Sequence, residues 1–302
     1  MAFRKSGEGG GYLLWVVGGL LGLALLVILS YSFSPLEGCV GVVEIKNEIV
    51  VDDIPSSLLS GGIYGSESIA KSIESADKRP DVRALLVVID SPGGSVVGSR
   101  QIYDALRSLN KSSVAYLQEL AASGGYMVAS GTDTIVSNPD ALTGNIGARM
   151  TFLEYRGLFE KLGVNETAIK SGAMKDMGTP AREMTPGERM VFESIVNESF
   201  EEFKGAVVEG RGSRLNMGLF EEALDARVMT GRQAQKIGLV DKLGGKKAAL
   251  LEAARLGGME SGEPKVCDLS PSNGRRGLLG SLSSDVLLVF SRTIGLPRLS
   301  YS

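Results

Sequence analysis

Histidine is absent from all 302 residues of this chain. Without imidazole there is no Ser-His-Asp triad, no Cys-His pair and no zinc site that needs a histidine ligand. A hydrolase built on this sequence must take its base from another side chain, and at neutral pH the remaining candidate is a lysine amine made neutral by its surroundings. Only two cysteines occur, Cys39 and Cys267, so at most one intrachain disulfide can form and no disulfide framework can carry the fold. Basic charge is not in excess either. With 32 Lys+Arg against 35 Asp+Glu the net charge is −3, which gives no basic footprint for nucleic acid.

Charge of either sign is missing from one long stretch. After Arg4, Lys5 and Glu8 no charged residue appears until Glu37, and Tyr12 to Phe33 is apolar apart from Gly and Ser. At about 1.5 Å per residue such a run covers a hydrocarbon core of about 30 Å, so residues 12–33 are expected to form a transmembrane helix, with 1–11 before it. A cleaved signal peptide is expected to have a shorter apolar region and a small-x-small exit, which Ser30-Tyr31-Ser32 does not supply. Leu36-Glu37-Gly38-Cys39 departs from a lipoprotein cleavage box at Glu37. Arg4 and Lys5 lie on one flank and Glu37 and Glu44 on the other, so the N-terminus is expected in the cytoplasm and the rest of the chain outside a cell membrane.

From residue 40 to 257 short apolar runs alternate with amphipathic helices. Val40 to Val51 reads as a strand or hairpin, and Ser66 to Ala76 as a helix. Ala84 to Ile89 is a continuous apolar strand of the kind that suits a sheet covered on both faces, and Ser113 to Leu117 is another. Thr185-Pro186-Gly187-Glu188 opens a helix whose Phe192, Val196, Phe200, Phe203 and Val207 mark one long apolar face. A last helix is expected over Lys246 to Leu256. Repeated strand-loop-helix units imply parallel pairing and hence a layered α/β domain. Residues 258–302 read as a Gly/Ser/Pro-rich linker, to about Arg276, followed by an apolar C-terminal tail too short for a second span.

Two glycine-rich turns fall after strands, where an α/β layer places its ligands. Asp90-Ser91-Pro92-Gly93-Gly94 follows the first apolar strand, and Ser123-Gly124-Gly125 follows the second. Glycines there let backbone amides approach a carbonyl oxygen, so an amide of Gly93 or Gly94 together with that of Gly124 can form an oxyanion hole. Either turn alone also reads as a tight turn with a helix cap. Ser123 is the candidate nucleophile. Lys175, in Ser171-Gly-Ala-Met-Lys175-Asp176, is the candidate base, and Lys170 competes with it.

Taken in order, Asp-Ser-Pro-Gly-Gly, Ala-Ala-Ser-Gly-Gly-Tyr, Leu-Thr-Gly-Asn-Ile-Gly and Ser-Gly-Ala-Met-Lys-Asp followed by Pro-Ala-Arg-Glu-Met-Thr resemble the signal peptide peptidase A family, also called protease IV. The resemblance spans about residues 40 to 257 and is of the short, single-domain type. It implies a ClpP/crotonase-like fold and a membrane-anchored serine endopeptidase for residual signal peptides or other extended apolar peptides, without metal or cofactor. It matches Ser123 to the nucleophile, Lys175 to the general base, and Gly94 and Gly124 to the oxyanion donors. Relatives carry Thr-Gly-Ser-Ile-Gly where this chain has Asn145, so the residue that orients the lysine is expected to be Asn145 through its amide oxygen, with Thr143 as helper. The family also implies a homo-oligomeric ring whose Ser123 and Lys175 meet from adjacent chains. Two other classes share part of the pattern: a crotonase-like acyl-CoA enzyme, and a noncatalytic membrane scaffold that keeps the fold.

Overall fold

The computed structural model describes residues 19, 38–56, 62–260, 262–271 and 300–301. The chain divides into two compact units, Met1–Gly38 and Cys39–Ser302. The expected membrane span 12–33 and most of the tail beyond residue 271 lie outside the described residues, among which no helix is long and apolar enough to cross a membrane.

Strand β1 (Cys39–Lys46) opens the second unit and is followed by helix α1 (Ser66–Lys78), which buries Ile69 and Ile73 one turn apart. The apolar run expected at 84–89 is the middle of β2 (Val82–Ser91). A two-residue β3 (Gly94–Ser95) leads into α2 (Val96–Arg107), whose cap is the Ser95 side chain accepting from Gly98 N at 3.2 Å. Then come β4 (Ser113–Ala122), α3 (Gly124–Ser130), β5 (Thr134–Ser137) and β6 (Leu142–Gly144). After a short α4 (Arg156–Leu162) the longest helix, α5 (Pro186–Arg211), begins in a capping box formed by Thr185 and Glu188. The chain continues through α6 (Met217–Glu222), β7 (Val228–Thr230), α7 (Gly231–Ile237), β8 (Lys242–Leu243), α8 (Lys246–Leu256) and β9 (Val266–Asp268). At the far end, β10 (Ser300–Tyr301) pairs antiparallel with β3.

The sheet runs β7-β6-β4-β2-β1-β9, and β4 forks. Its first half pairs with β5, which carries β8, while its second half pairs with β6. All these pairs are parallel except β6 with β7. Alternation along β2 sends Leu85, Val87 and Ile89 into a core shared with α1, α2, α3 and the C-terminal half of α5, and Ala84, Leu86 and Val88 into a second core under α8. Both faces are covered, which is why the strand reads as an unbroken apolar run.

Of the two readings of Val40 to Val51 the strand holds and the hairpin does not: β1 pairs in parallel with β2, and Ile49 then bridges to Gly94. Two expectations change. The stretch read as linker from residue 258 carries β9, which pairs with β1 as an edge strand and is tied to it by the Cys39–Cys267 disulfide, so the layer extends past 257. The apolar face of α5 is fully buried only in part. Phe203 and Val207 are in the core, Val196 and Phe200 are half-buried, and Phe192 packs on Phe152 with ring centroids 4.4 Å apart. The N-terminal half of α5 has less of the layer to lie on.

Arg211 closes α5. Its guanidinium is fully buried, bonds both oxygens of Asp241 at 3.0 and 2.7 Å, and donates to Gly238 O at 3.1 Å. Asp241 in turn accepts from Ile135 N at 2.7 Å, so this charge pair locks the helix to the forked side of the sheet.

Candidate active site

The end of β2 is fixed before the first glycine turn begins. Asp90 accepts from Leu120 N at 3.2 Å and from Gln118 Nε2 at 3.3 Å, which holds the ends of β2 and β4 side by side. The Ser91 hydroxyl donates to Asn47 O at 2.5 Å and accepts from Gly93 N at 3.1 Å. Gly93 is therefore already committed at its amide. Gly94 differs. In the parallel bridge to Ile49 the bonds are made by its neighbours, Ile49 N to Gly93 O at 2.7 Å and Ser95 N to Ile49 O at 2.8 Å. The N–H of Gly94 thus faces the opposite edge, where Ser300 and Tyr301 pair. Its φ of +150° and a would-be Cβ only 2.3 Å from Ile49 O demand glycine.

The second turn lies against the first. A Cβ on Gly124 would sit 2.2 Å from Ser99 Oγ and 3.4 Å from Gly93 Cα. As the first residue of α3, Gly124 has an N–H with no intrahelical acceptor. Ser123 itself adopts φ +55° and ψ −124°, a conformation that costs a side-chain-bearing residue on the order of 1–3 kcal/mol. The strain is held from both sides: Ser123 N donates to Gly144 O at 2.9 Å, and Ser123 O accepts from Tyr126 N and Met127 N. Its hydroxyl oxygen is buried and is the one buried side-chain polar atom among the described residues without a hydrogen-bond partner. A nucleophile awaiting its base and substrate fits that state, because a structural serine would have spent its hydroxyl on a neighbour.

Lys175 is elsewhere. It is exposed, in a series of turns between α4 and α5, and no hydrogen bond joins it to Ser123. Lys170, the competing lysine, is engaged with Asp176 at 2.5 Å. Asn145 and Thr143 flank the Ser123 turn rather than Lys175. The Thr143 hydroxyl donates to Ala121 O at 2.7 Å. Asn145 has φ +54°, a value asparagine tolerates, and its Nδ2 donates to Ala226 O at 2.6 Å, which leaves the amide oxygen as its acceptor group. Within one chain, then, the candidate nucleophile Ser123, the candidate oxyanion glycines 94 and 124, Thr143 and Asn145 come together, and no hydrogen bond links exposed Lys175 to them.

Three contributors are not singled out by the sequence as site residues, although Ser91 lies within the first glycine motif. Ser91 and Ser99 shape the glycine turns, and the loop at Ala226–Arg227 holds Asn145 through Ala226 O and through Arg227 O, which accepts from Asn145 N at 2.9 Å. No local sequence signal links residue 145 to 226. As for metals, Cys39, Asp81 and Cys267 are the acidic or sulfur cluster found among the described residues, and both sulfurs are consumed in the disulfide.

Comparison with known proteins matches residues 105–260 to the model of peptidase family S49 and residues 65–141, which span both glycine turns, to that of Clp protease. A protein of Methanocaldococcus jannaschii named as a protease is 32% identical over 86% of this chain and 85% of its own length. One of Synechocystis sp., also named as a protease, is 36% identical over 71% and 76%. A protein of Enterococcus faecium named as a signal peptide peptidase SppA is 32% identical over 68% and 60%.

Proposed function

This chain belongs to peptidase family S49 and is a serine peptidase with a ClpP-like α/β fold, and from that premise we propose that Ser123 is its nucleophile, Lys175 its general base, and Gly94 and Gly124 its oxyanion donors. The observation that carries the reading is the unpartnered, buried hydroxyl of Ser123 on a strained turn beside two glycine amides. Ser123 Oγ attacks the scissile carbonyl, the Ser123 proton passes to the neutral Lys175 amine, and the two amides hold the tetrahedral oxyanion. The C–N bond breaks as Lys175 returns the proton to the leaving amine. Water then adds to the acyl ester, gives its proton to Lys175, and the ester bond to Ser123 breaks to release a carboxylic acid and the restored hydroxyl.

The substrates are extended apolar peptides, among them residual signal peptides. The pairing of Ser300–Tyr301 with Gly94–Ser95 supports this, because it places an extended strand on the edge that borders the oxyanion glycine. The name of the Enterococcus faecium relative points the same way. The enzyme is anchored in a cell membrane by residues 12–33, with its N-terminus in the cytoplasm and Ser123 outside. A disulfide between Cys39 and Cys267 supports that side, since such bonds persist in oxidising compartments.

The site is completed between chains of a homo-oligomeric ring. Supporting this, exposed Lys175 makes no hydrogen bond to the buried Ser123 hydroxyl of its own chain, and the segment that carries it exposes Leu153, Leu158, Leu162, Val164, Ile169 and Met174. Such a concentration of exposed apolar side chains suits a protein partner. The test is co-assembly of Ser123→Ala with Lys175→Ala, each inactive by itself. Partial recovery of peptide cleavage is expected, and mixed assemblies that contain both variants yet stay inactive refute the shared site.

A further inference from the structure

A lysine that acts as a base must be uncharged when substrate arrives, and a carboxylate within about 4–6 Å favours its charged form by roughly one to three pKa units. Lys175 is followed directly by Asp176. The structure disposes of that carboxylate. Lys170 Nζ bonds Asp176 Oδ1 at 2.5 Å, and Arg182 Nη2 bonds the same oxygen at 3.0 Å, so two cations converge on one carboxylate and Lys175 bonds neither of its oxygens. Arg182 is itself anchored. It grips buried Glu188 with both terminal nitrogens, at 3.0 and 2.5 Å, and donates to Glu183 O at 3.0 Å.

Glu188 belongs to the capping box that starts α5, accepting from Thr185 N at 2.9 Å. The network therefore runs from the rigid end of a long helix, through Arg182, to the residue next to Lys175. Lys170 adds a second hold by donating to Ala173 O at 3.2 Å, within the same turn. Of the other charged groups of this segment, Arg156 lies beside Glu154, Glu160 and Glu183, Glu166 accepts from Thr179 Oγ1 at 3.2 Å, and Arg149 and Lys161 are exposed cations that bond neither Asp176 nor Lys175.

We propose that Lys170 and Arg182 are positioning residues for the Lys175 base, holding the Asp176 carboxylate away from its amine. The inference rests on the reading of Lys175 as the base. It assigns a task to two cations that a lysine motif would otherwise leave as surface charge. It also gives a reason for Arg182 and Lys170 to meet on one carboxylate. The neighbouring cations hold the Asp176 carboxyl below its ordinary range, so it is a full negative charge that has to be kept away from Lys175.

The test is the pH dependence of kcat/KM on a short apolar peptide, measured on the full chain in its assembled form. Lys170→Met leaves Arg182 in place and is expected to move the ascending limb to higher pH by less than half a unit. Lys170→Met combined with Arg182→Met and Glu188→Gln, the last so that no buried carboxylate is stranded, is expected to move it by about one unit. Activity below the limb then falls about tenfold while the alkaline plateau stays within about twofold of wild type. Adding Asp176→Asn to the triple variant should return the limb to its wild-type position, a rescue that a purely structural role for the cations does not give. An unmoved limb in a folded triple variant, or a displaced limb that Asp176→Asn does not restore, overturns the proposal. Lys175→Ala is run alongside. If it keeps its turnover, the base assignment itself has failed; if it is dead while the limb in the triple variant is unmoved, only the sequestration of Asp176 has.

Discussion

In the layer that carries Ser123, every residue from Ala84 to Ile89 is fully buried, whereas every residue from Gly147 to Gly187, the segment that carries Lys175, is half-buried or exposed. The first region is held by parallel strand registers, two apolar cores and the buried Arg211–Asp241 pair. The second is held by turns, one seven-residue helix and a chain of ion pairs. A strained nucleophile needs rigid support on all sides, because a residue forced to positive φ relaxes wherever its surroundings allow it. A base that arrives from outside needs reach and a second surface to settle on. The two halves of the proposed dyad are thus built to different standards of order, and the difference is open to direct attack.

The largest effects should fall on catalysis. Ser123→Ala and Lys175→Ala are each expected to abolish peptide cleavage while leaving far-UV circular dichroism unchanged, and substantial turnover by either variant would break the dyad. Next, Gly124→Ala places a methyl carbon 2.2 Å from Ser99 Oγ and displaces one oxyanion amide, for an expected loss of about 10²–10³ in kcat. Acyl-enzyme burst kinetics should then show the loss in the chemical step rather than in binding.

Stability should divide along the same line. Arg211→Ala strands Asp241 beside the sheet and is expected to cost about 3–5 kcal/mol in chemical denaturation. Leu158→Ser, in the exposed segment, should change the stability of the separated chain by less than about 0.5 kcal/mol. If that leucine lies in a chain-to-chain contact, its effect appears in sedimentation and activity instead. A loss of several kcal/mol from Leu158→Ser would mean that the segment folds as part of the layer.

The pH dependence of stability probes both regions together. Glu188 is pushed down to about 2, chiefly by the Arg182 guanidinium, and Glu252 in α8 is likewise pushed down to about 2, chiefly by Arg255. Each carboxyl starts from 4.5 when free of those partners. Because the folded value is the lower one, the stabilisation is complete above about pH 4.5 and is lost as pH falls toward 2. Thermal melts across that window should show a falling Tm, made shallower by Glu252→Gln and by Glu188→Gln. A slope that neither substitution changes would rule both pairs out as its source.

The smallest expected effect on catalysis belongs to Asn145. If its amide oxygen is the group offered to the lysine, Asn145→Ala should slow kcat by roughly tenfold, about the size of one hydrogen bond. Asn145→Ser, which restores an acceptor, should recover much of that. Equal rates for wild type and Asn145→Ala would leave Asn145 as a turn residue at positive φ and nothing more.

Much of the layer was legible because its elements announce themselves locally. An unbroken apolar run as short and as rich in Val and Ile as Ala84 to Ile89 suits a strand in a two-sided sheet better than a buried helix, and Thr185 to Glu188 carries its own helix start. The second half of β4 was not legible. Gln118-Glu119-Leu120 interrupts the apolar pattern, and pairing with β6 on one side and with Ser91 of β2 on the other makes this end a strand. Nor was β9, three residues between Gly- and Pro-rich flanks, which exists because β1 has a free edge and Cys39 a partner 228 residues away.

By itself the sequence determined the chemistry available. The lack of histidine left lysine as the candidate base, and glycine at 94 and 124 reserved space that no side chain can share. Tertiary structure decided which of those groups meet. Gly93 lost its role as donor because the Ser91 hydroxyl takes its amide, and Thr143 gave its proton to Ala121. Lys175 was left on an exposed segment, away from Ser123. The reason is physical: residue type fixes what an atom can do, but whether a hydroxyl stays unpaired or an amide stays free depends on neighbours brought there from dozens of residues away.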